Sequence, residues 1–110
     1  MKLHQNKWPW GTTETYIAFD GAGIFRLSIM NDEPDVIFLS DVSVQKRHRG
    51  KGYARSMLRI AIHRAKQTEC KKMRLYAYPG DFVIDWYKRN GFVETGNTNI
   101  DGSVEMERTL

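Results

Sequence analysis

The stretch Val42 to Ala54 reads V-S-V-Q-K-R-H-R-G-K-G-Y-A and holds the densest set of chemically useful residues in the chain. Lys46, Arg47, His48, Arg49, Lys51 and Arg55 lie within ten positions, around Gly50 and Gly52. The glycines let the backbone turn tightly and let a ligand approach without a Cβ in the way. An apolar run precedes the stretch and a helical pattern follows it. The first amides of a helix have no internal partners and sit at the positive end of its dipole. Strand, glycine loop and helix together make an anion site, and a diphosphate is a natural occupant. Two familiar phosphate loops do not fit. G-x-x-x-x-G-K-[ST] is missing, and in G-x-G-x-x-G the third glycine is replaced by Arg55, with no supporting acidic residue at a following strand end.

Other reactive side chains are weaker candidates. Asp41 sits inside an apolar strand, where a carboxylate is costly unless solvated or paired. It is either a general base facing a cleft or an edge-facing structural residue, and the residues alone leave both open. His48 has the pKa range for acid–base work, but beside Arg47 and Arg49 it reads as a solvated side chain or a ligand contact. Cys70 has no histidine near it in sequence and reads as a partly buried thiol. His4, His48 and His63 lack metal-site spacing, so no metal is expected. Trp8 and Trp10 read first as a cap on one end of the core, with a ligand-pocket wall or a dimer contact as alternatives.

The elements that must position these residues follow from periodicity. Glu14–Asp20 and Ile24–Met30 alternate as strands joined at Gly21-Ala22-Gly23, which suggests a hairpin. Asn31–Asp35 is a second turn. Val36–Val44 is apolar at most positions, as suits a central strand buried on both faces. A helix is predicted over about Gly52–Thr68, with Ala54, Met57, Leu58, Ala61, Ile62 and Ala65 on one side. Met73–Tyr78 is a further strand. Asp81 suits an N-cap for a short helix carrying Val83, Trp86 and Tyr87, and Asn90-Gly91 a left-handed stop. Phe92–Thr95 and Val104–Thr109 close the chain as a strand pair around the Asp101-Gly102 turn. The order is β-β-β-α-β-α-β-β, a mixed α/β fold with one sheet and a right-handed parallel crossover in its middle.

Composition agrees with one ordinary globular domain over residues 1–110. The 110 residues are 41% hydrophobic and 27% charged, with a net charge of +4. No apolar run approaches the ~18 residues needed to cross a bilayer, and Met1–Trp10 lacks the apolar stretch of a secretory signal. A single cysteine suits a reducing, cytoplasmic setting.

With those residues in place, the chain resembles the GCN5-related N-acetyltransferase (GNAT) superfamily. Arg49, Gly52 and Ala54 match its motif A, [RQ]-x-x-G-x-[GA]. The wider consensus runs from Val44 to Ala54, with Lys46 where proline is usual. Trp86-Tyr87-Lys88-Arg89-Asn90-Gly91-Phe92 looks like motif B, at the expected helix–strand junction. The resemblance covers about Glu14 to Thr109. It departs at Gly80, where an asparagine is common, and at the N-terminus, where the family's first strand and two helices are absent or reduced to Met1–Thr13.

The resemblance implies a GNAT-like acyl-CoA N-acyltransferase fold and direct transfer of acetyl from acetyl-CoA (coenzyme A) to a primary amine. Amides from Gly50 through Lys51, Gly52 and Tyr53 to Ala54, helped by Arg49, would hold the pyrophosphate. The main chain of Val42 and Val44 would pair with the pantetheine arm. Tyr87 matches the tyrosine that many members use as general acid; otherwise it is a core tyrosine with a bonded hydroxyl. An amine of pKa ~10.4 is mostly protonated at pH 7, so a base or water chain is needed. The acceptor is a small-molecule or protein amine, with no membrane partner. The reduced acceptor side and exposed closing strands leave room for a homodimer. Two alternatives remain. The basic loop and helix could instead bind nucleic acid, which the clustering of charge around two glycines disfavours, or the chain could bind CoA without turnover.

Overall fold

Val36–Val44 and Met73–Tyr78 are the apolar segments that must find cover, and they become the middle of one seven-stranded sheet. In the computed structural model, which describes residues 1–80 and 82–110, the chain runs β1 (Lys2–Trp8), β2 (Gly11–Ala18), β3 (Gly23–Met30), β4 (Glu33–Val44), α1 (Tyr53–Lys66), β5 (Lys72–Ala77), α2 (Val83–Arg89), β6 (Val93–Thr98) and β7 (Val104–Thr109). The sheet order is β1-β2-β3-β4-β5-β7-β6, antiparallel except for β4 and β5. The mixed fold expected from sequence is present, with one strand more. β1 pairs with β2 across a two-residue connection, Pro9-Trp10, so the family's two N-terminal helices have no place between them. The expected N-cap at Asp81 lies outside the described residues.

Register sorts side chains onto two faces of different character. Tyr16, Phe25, Leu27, Ile37, Leu39, Met73, Leu75 and Met106 share one face and are buried. Against them pack Met57, Leu58, Ala61 and Ala65 of α1 and Trp86 and Tyr87 of α2. Burial of such side chains contributes roughly 1.5–3 kcal/mol each. Phe92 is buried in the same core and meets Tyr87 edge-on, with centroids 5.4 Å apart. Glu14 would be an expensive member of this face, but Arg64 of α1 forks onto both its oxygens at 3.0 and 2.9 Å, and Tyr16 donates to it at 2.7 Å.

The other face carries Thr13, Ser28, Phe38, Arg74 and Glu107 in one cross-sheet row, with Thr15, Arg26 and Ser40 in the next. Neither α-helix covers it. Arg74 holds its middle, bonded to Glu107 and Glu33 and lying over the Phe38 ring at 5.3 Å. Trp8 and Trp10 belong to this face and do not cap the core. Their rings are parallel at 6.1 Å, and the Trp8 indole donates to Thr13 at 3.0 Å. An edge turn of only two residues forces both indoles over the polar sheet, where each stays nearly half exposed. No helix among the described residues is long and apolar enough to cross a membrane.

Candidate active site

β4 is central as expected but is not buried along its length. It pairs with β5 only from Val36 to Phe38, against Lys72 to Arg74. Beyond that point β4 continues along β3 to Val44, and β5 continues along β7 to Ala77. The two parallel strands therefore splay, leaving the edges of Leu39–Val44 and Leu75–Ala77 without a partner strand. Ser40, Asp41 and Ser43 are exposed as a consequence.

A bulge at Asp41 decides which side chains face the opening. Between Arg26↔Ser40 and Ile24↔Ser43, β3 advances two residues and β4 three. The extra residue is taken up by Asp41 in a left-handed conformation, φ 56°. This shifts the alternation of β4, so that Val42 and Val44 turn toward the helices. Asp41 instead reaches Arg26, whose guanidinium donates to it at 2.7 Å and to Thr15 at 3.1 Å. Asp41 therefore lies on the polar face, apart from the residues of the basic loop.

Those residues meet in a cleft of about 660 Å³ bounded by β4, the loop and α2. Val42, Val44, Arg49, Gly50, Gly52, Tyr53, Ala54 and Tyr87 all line it, as do Ser43, His48, Arg55, Val83 and Trp86. Lys51 does not. Its ammonium turns to His48 Nδ1 at 3.1 Å, while desolvation and the charges of Lys51 and Arg47 hold the imidazole below its ordinary pKa. Arg49 folds back and donates to the Val44 carbonyl at 3.2 Å, tying the loop to the end of the strand.

The loop has the form of an anion cradle. Gly50 and Gly52 adopt φ of 81° and 79°, and a Cβ on either would meet no protein atom within 4 Å. Gly52 caps α1 with no side-chain bond, and among the described residues the backbone amides of Gly50 to Arg55 have no backbone acceptor. Open space, outward amides and surrounding cations fit a diphosphate. Among the described residues no group of His, Cys, Asp or Glu is placed to hold a metal.

Tyr87 enters the cleft from the opposite wall. The residue is 7% exposed, and burial pushes its phenol up to about 12. Among the described residues the hydroxyl has no hydrogen-bond partner and is not a fully enclosed orphan, and the residue lines the cleft. Gly91 follows α2 at φ 90°, where a Cβ would meet the Arg108 guanidinium, and Arg108 donates to the Asn90 carbonyl at the end of α2.

The comparisons with known proteins show the family and the fold. The model of the Acetyltransferase (GNAT) family matches residues 2–92, and the chain belongs to that family. Its class is acetyl-CoA-dependent N-acetyltransferase. Solved structures share the fold at low sequence identity. An acetyltransferase from Bacillus subtilis in complex with CoA superposes with a TM-score of 0.72 at 18% identity, over 91% of this chain and 77% of that one. The IAA acetyltransferase from Bacillus cereus gives 0.71 at 18%, over 91% and 78%. The PaiA N-acetyltransferase from Thermoplasma acidophilum in complex with coenzyme A gives 0.69 at 18%, over 91% and 60%. No curated protein matches the sequence.

Proposed function

We propose that the chain transfers acetyl directly from acetyl-CoA to a primary amine, with the thioester lying between the splayed strands and Tyr87 at its sulfur. The observation that carries this reading is Tyr87, whose hydroxyl is unpartnered among the described residues and which lines the cleft that also holds the Gly50–Ala54 cradle. Amides of that cradle would hold the pyrophosphate, with Arg49 fixing the loop. The free edges at Val42 and Val44 would pair with the pantetheine amides as an added strand does.

Acetyl-CoA, when bound, supplies an activated carbonyl carbon that accepts the amine nitrogen while the C–S bond breaks. The Tyr87 phenol would donate a hydrogen bond to the departing sulfur. With its pKa near 12, against ~8.5 for an ordinary thiol, full transfer is uphill by roughly 3 to 4 units even to the free thiolate, and by far more while the C–S bond is intact. The phenol would therefore stabilise the charge growing on sulfur by a shared hydrogen bond, and the thiolate would take its final proton as it leaves for water. The amine would enter from the polar face, where Asp41 is the candidate that removes its extra proton, directly or through water. Arg26 would orient that carboxylate. With no helix among the described residues over this face, the acceptor side is open to a small amine, a protein segment or a second copy of the chain.

The test is calorimetric titration of acetyl-CoA into the protein and into Gly52→Glu, followed by thiol release on a panel of amines. Saturable binding that the substitution abolishes, with amine-dependent thiol release that Tyr87→Phe slows, would support the reading. A folded wild-type protein that does not bind acetyl-CoA would rule it out.

A further inference from the structure

The turn between β2 and β3 is built in an unfavourable way for its sequence. Phe19, Asp20 and Gly21 are successive left-handed residues, with φ of 54°, 54° and 92°. Glycine adopts this region freely and aspartate tolerates it, but a bulky aromatic rarely does. A conformation of that kind persists only where its surroundings over-determine it.

This turn reaches the basic loop at both of its ends. The Phe19 ring stacks on Tyr53, with centroids 3.9 Å apart and planes 9° from parallel. Tyr53 is the first residue of α1 and directly follows Gly52. Tyr53 in turn stacks against His48 at 6.1 Å. At the other end of the loop, Gln45 donates from its backbone to the Ala22 carbonyl at 2.8 Å and from its side chain to Gly21 at 3.3 Å. Gly23 lies so close to α1 that a Cβ would come within 2.7 Å of Met57 Sδ. One hairpin turn thus fastens the segment Lys46–Gly52 at both of its ends.

The remaining ties of that segment are few. Its residues are mostly exposed, two are glycines, and its other bonds are the short turn contacts His48 to Gln45 and Arg49 to Lys46, Ser56 N–H on the Gly52 carbonyl, the exposed Arg49 side chain on the Val44 carbonyl and the exposed Lys51–His48 contact. A loose loop would pay ordering entropy each time it closed on a diphosphate. We infer that Phe19 is a positioning residue for acyl-donor binding: held by the left-handed turn, its ring presets the cradle through Tyr53. Phe19 does not line the cleft, so its effect falls on loop order and not on the reacting atoms. The inference rests on the cofactor reading given above.

The test compares wild type, Phe19→Ala, Phe19→Leu and Phe19→Tyr by titration with acetyl-CoA and with S-acetylpantetheine, a donor lacking the diphosphate. Hydrogen exchange of amides 46–55 is followed without ligand. Phe19→Ala and Phe19→Leu should weaken acetyl-CoA about five- to tenfold, in line with the worth of an aromatic stack. Their affinity for S-acetylpantetheine should be unchanged and their loop amides should exchange faster. Phe19→Tyr, which keeps the flat ring, should behave as wild type. Phe19→Leu keeps most of the buried volume and decides the matter if Phe19→Ala does not fold. Unchanged acetyl-CoA affinity in the folded variants would overturn the inference, as would equal losses for both donors. Wild type failing to bind acetyl-CoA would instead overturn the cofactor reading beneath it.

Discussion

Arg64, three turns into α1, grips both carboxylate oxygens of Glu14 on β2, at 3.0 and 2.9 Å, and so ties the helix that follows the basic loop to the sheet. The Arg64 hydrogen bond, aided by those from Tyr16 and Gln5, holds the Glu14 carboxyl down at about 2 against burial, which pushes it up. A depressed pKa contributes stability that is present above the ordinary carboxylate value and is lost as pH falls through the folded value. Glu14→Gln should therefore destabilise the fold at pH 7 by about 1 to 2 kcal/mol, a figure reduced for the partial exposure of Arg64. In urea titrations the gap between variant and wild type should narrow from pH 4.5 down to 2. A gap that stays constant across that window would show that packing, and not charge, is responsible.

Gly52 separates folding from binding. At φ 79° with open space around its Cα, Gly52→Ala should cost only the left-handed strain, about 1 kcal/mol, seen as a small drop in melting temperature. Gly52→Glu should melt similarly, since its side chain also meets no protein atom at Cβ. It should nevertheless abolish acetyl-CoA binding in the titration, because a carboxylate would occupy the cradle. Binding that survives Gly52→Glu would place the pyrophosphate elsewhere.

The cradle and the helices were legible in the sequence because they are local. Two glycines after an apolar strand, and the spacing of Met57, Leu58, Ala61 and Ala65, state their structure within one segment. β1 was not legible. Lys2–Trp8 is exposed at every position, so no apolar face marks its period of two, and only pairing with β2 makes it a strand. The Asp41 bulge was hidden for a related reason. Alternation is read along one strand, whereas a bulge is a mismatch between two, and here it decides which of Asp41 and Val42 faces the cleft. Phe19 stands 34 positions before Tyr53, and no local pattern joins them.

Asp41 can be tested without upsetting its turn. Asparagine tolerates the left-handed region, so Asp41→Asn should keep the bulge and the melting temperature while removing the base. We expect kcat/KM for the amine to fall about a hundredfold at pH 7, within the range of general acid–base effects. The deficit should shrink toward pH 10, where about a quarter of an alkyl amine of pKa ~10.4 is already neutral without help. Acetyl-CoA affinity should not change, because Asp41 lies off the cleft. A deficit independent of pH would make Asp41 and Arg26 a structural pair.

Tyr87→Phe addresses the chemical step most directly. The hydroxyl has no partner among the described residues, so its removal leaves nothing unsatisfied, and stability should change little. Acetyl-CoA affinity should stay within about twofold, since the loop proposed to hold the pyrophosphate is on the far wall. If the hydroxyl supports the departing sulfur, kcat should fall about a hundredfold. The wild-type pH profile supplies an independent check. With a pKa of about 12, the phenol keeps its proton through the working range and loses it only as pH rises past that value. The wild-type rate should therefore climb with pH as the amine deprotonates, with no falling limb below pH 10. A limb that falls near pH 8 or 9, and persists in Tyr87→Phe, would assign the acid to another group.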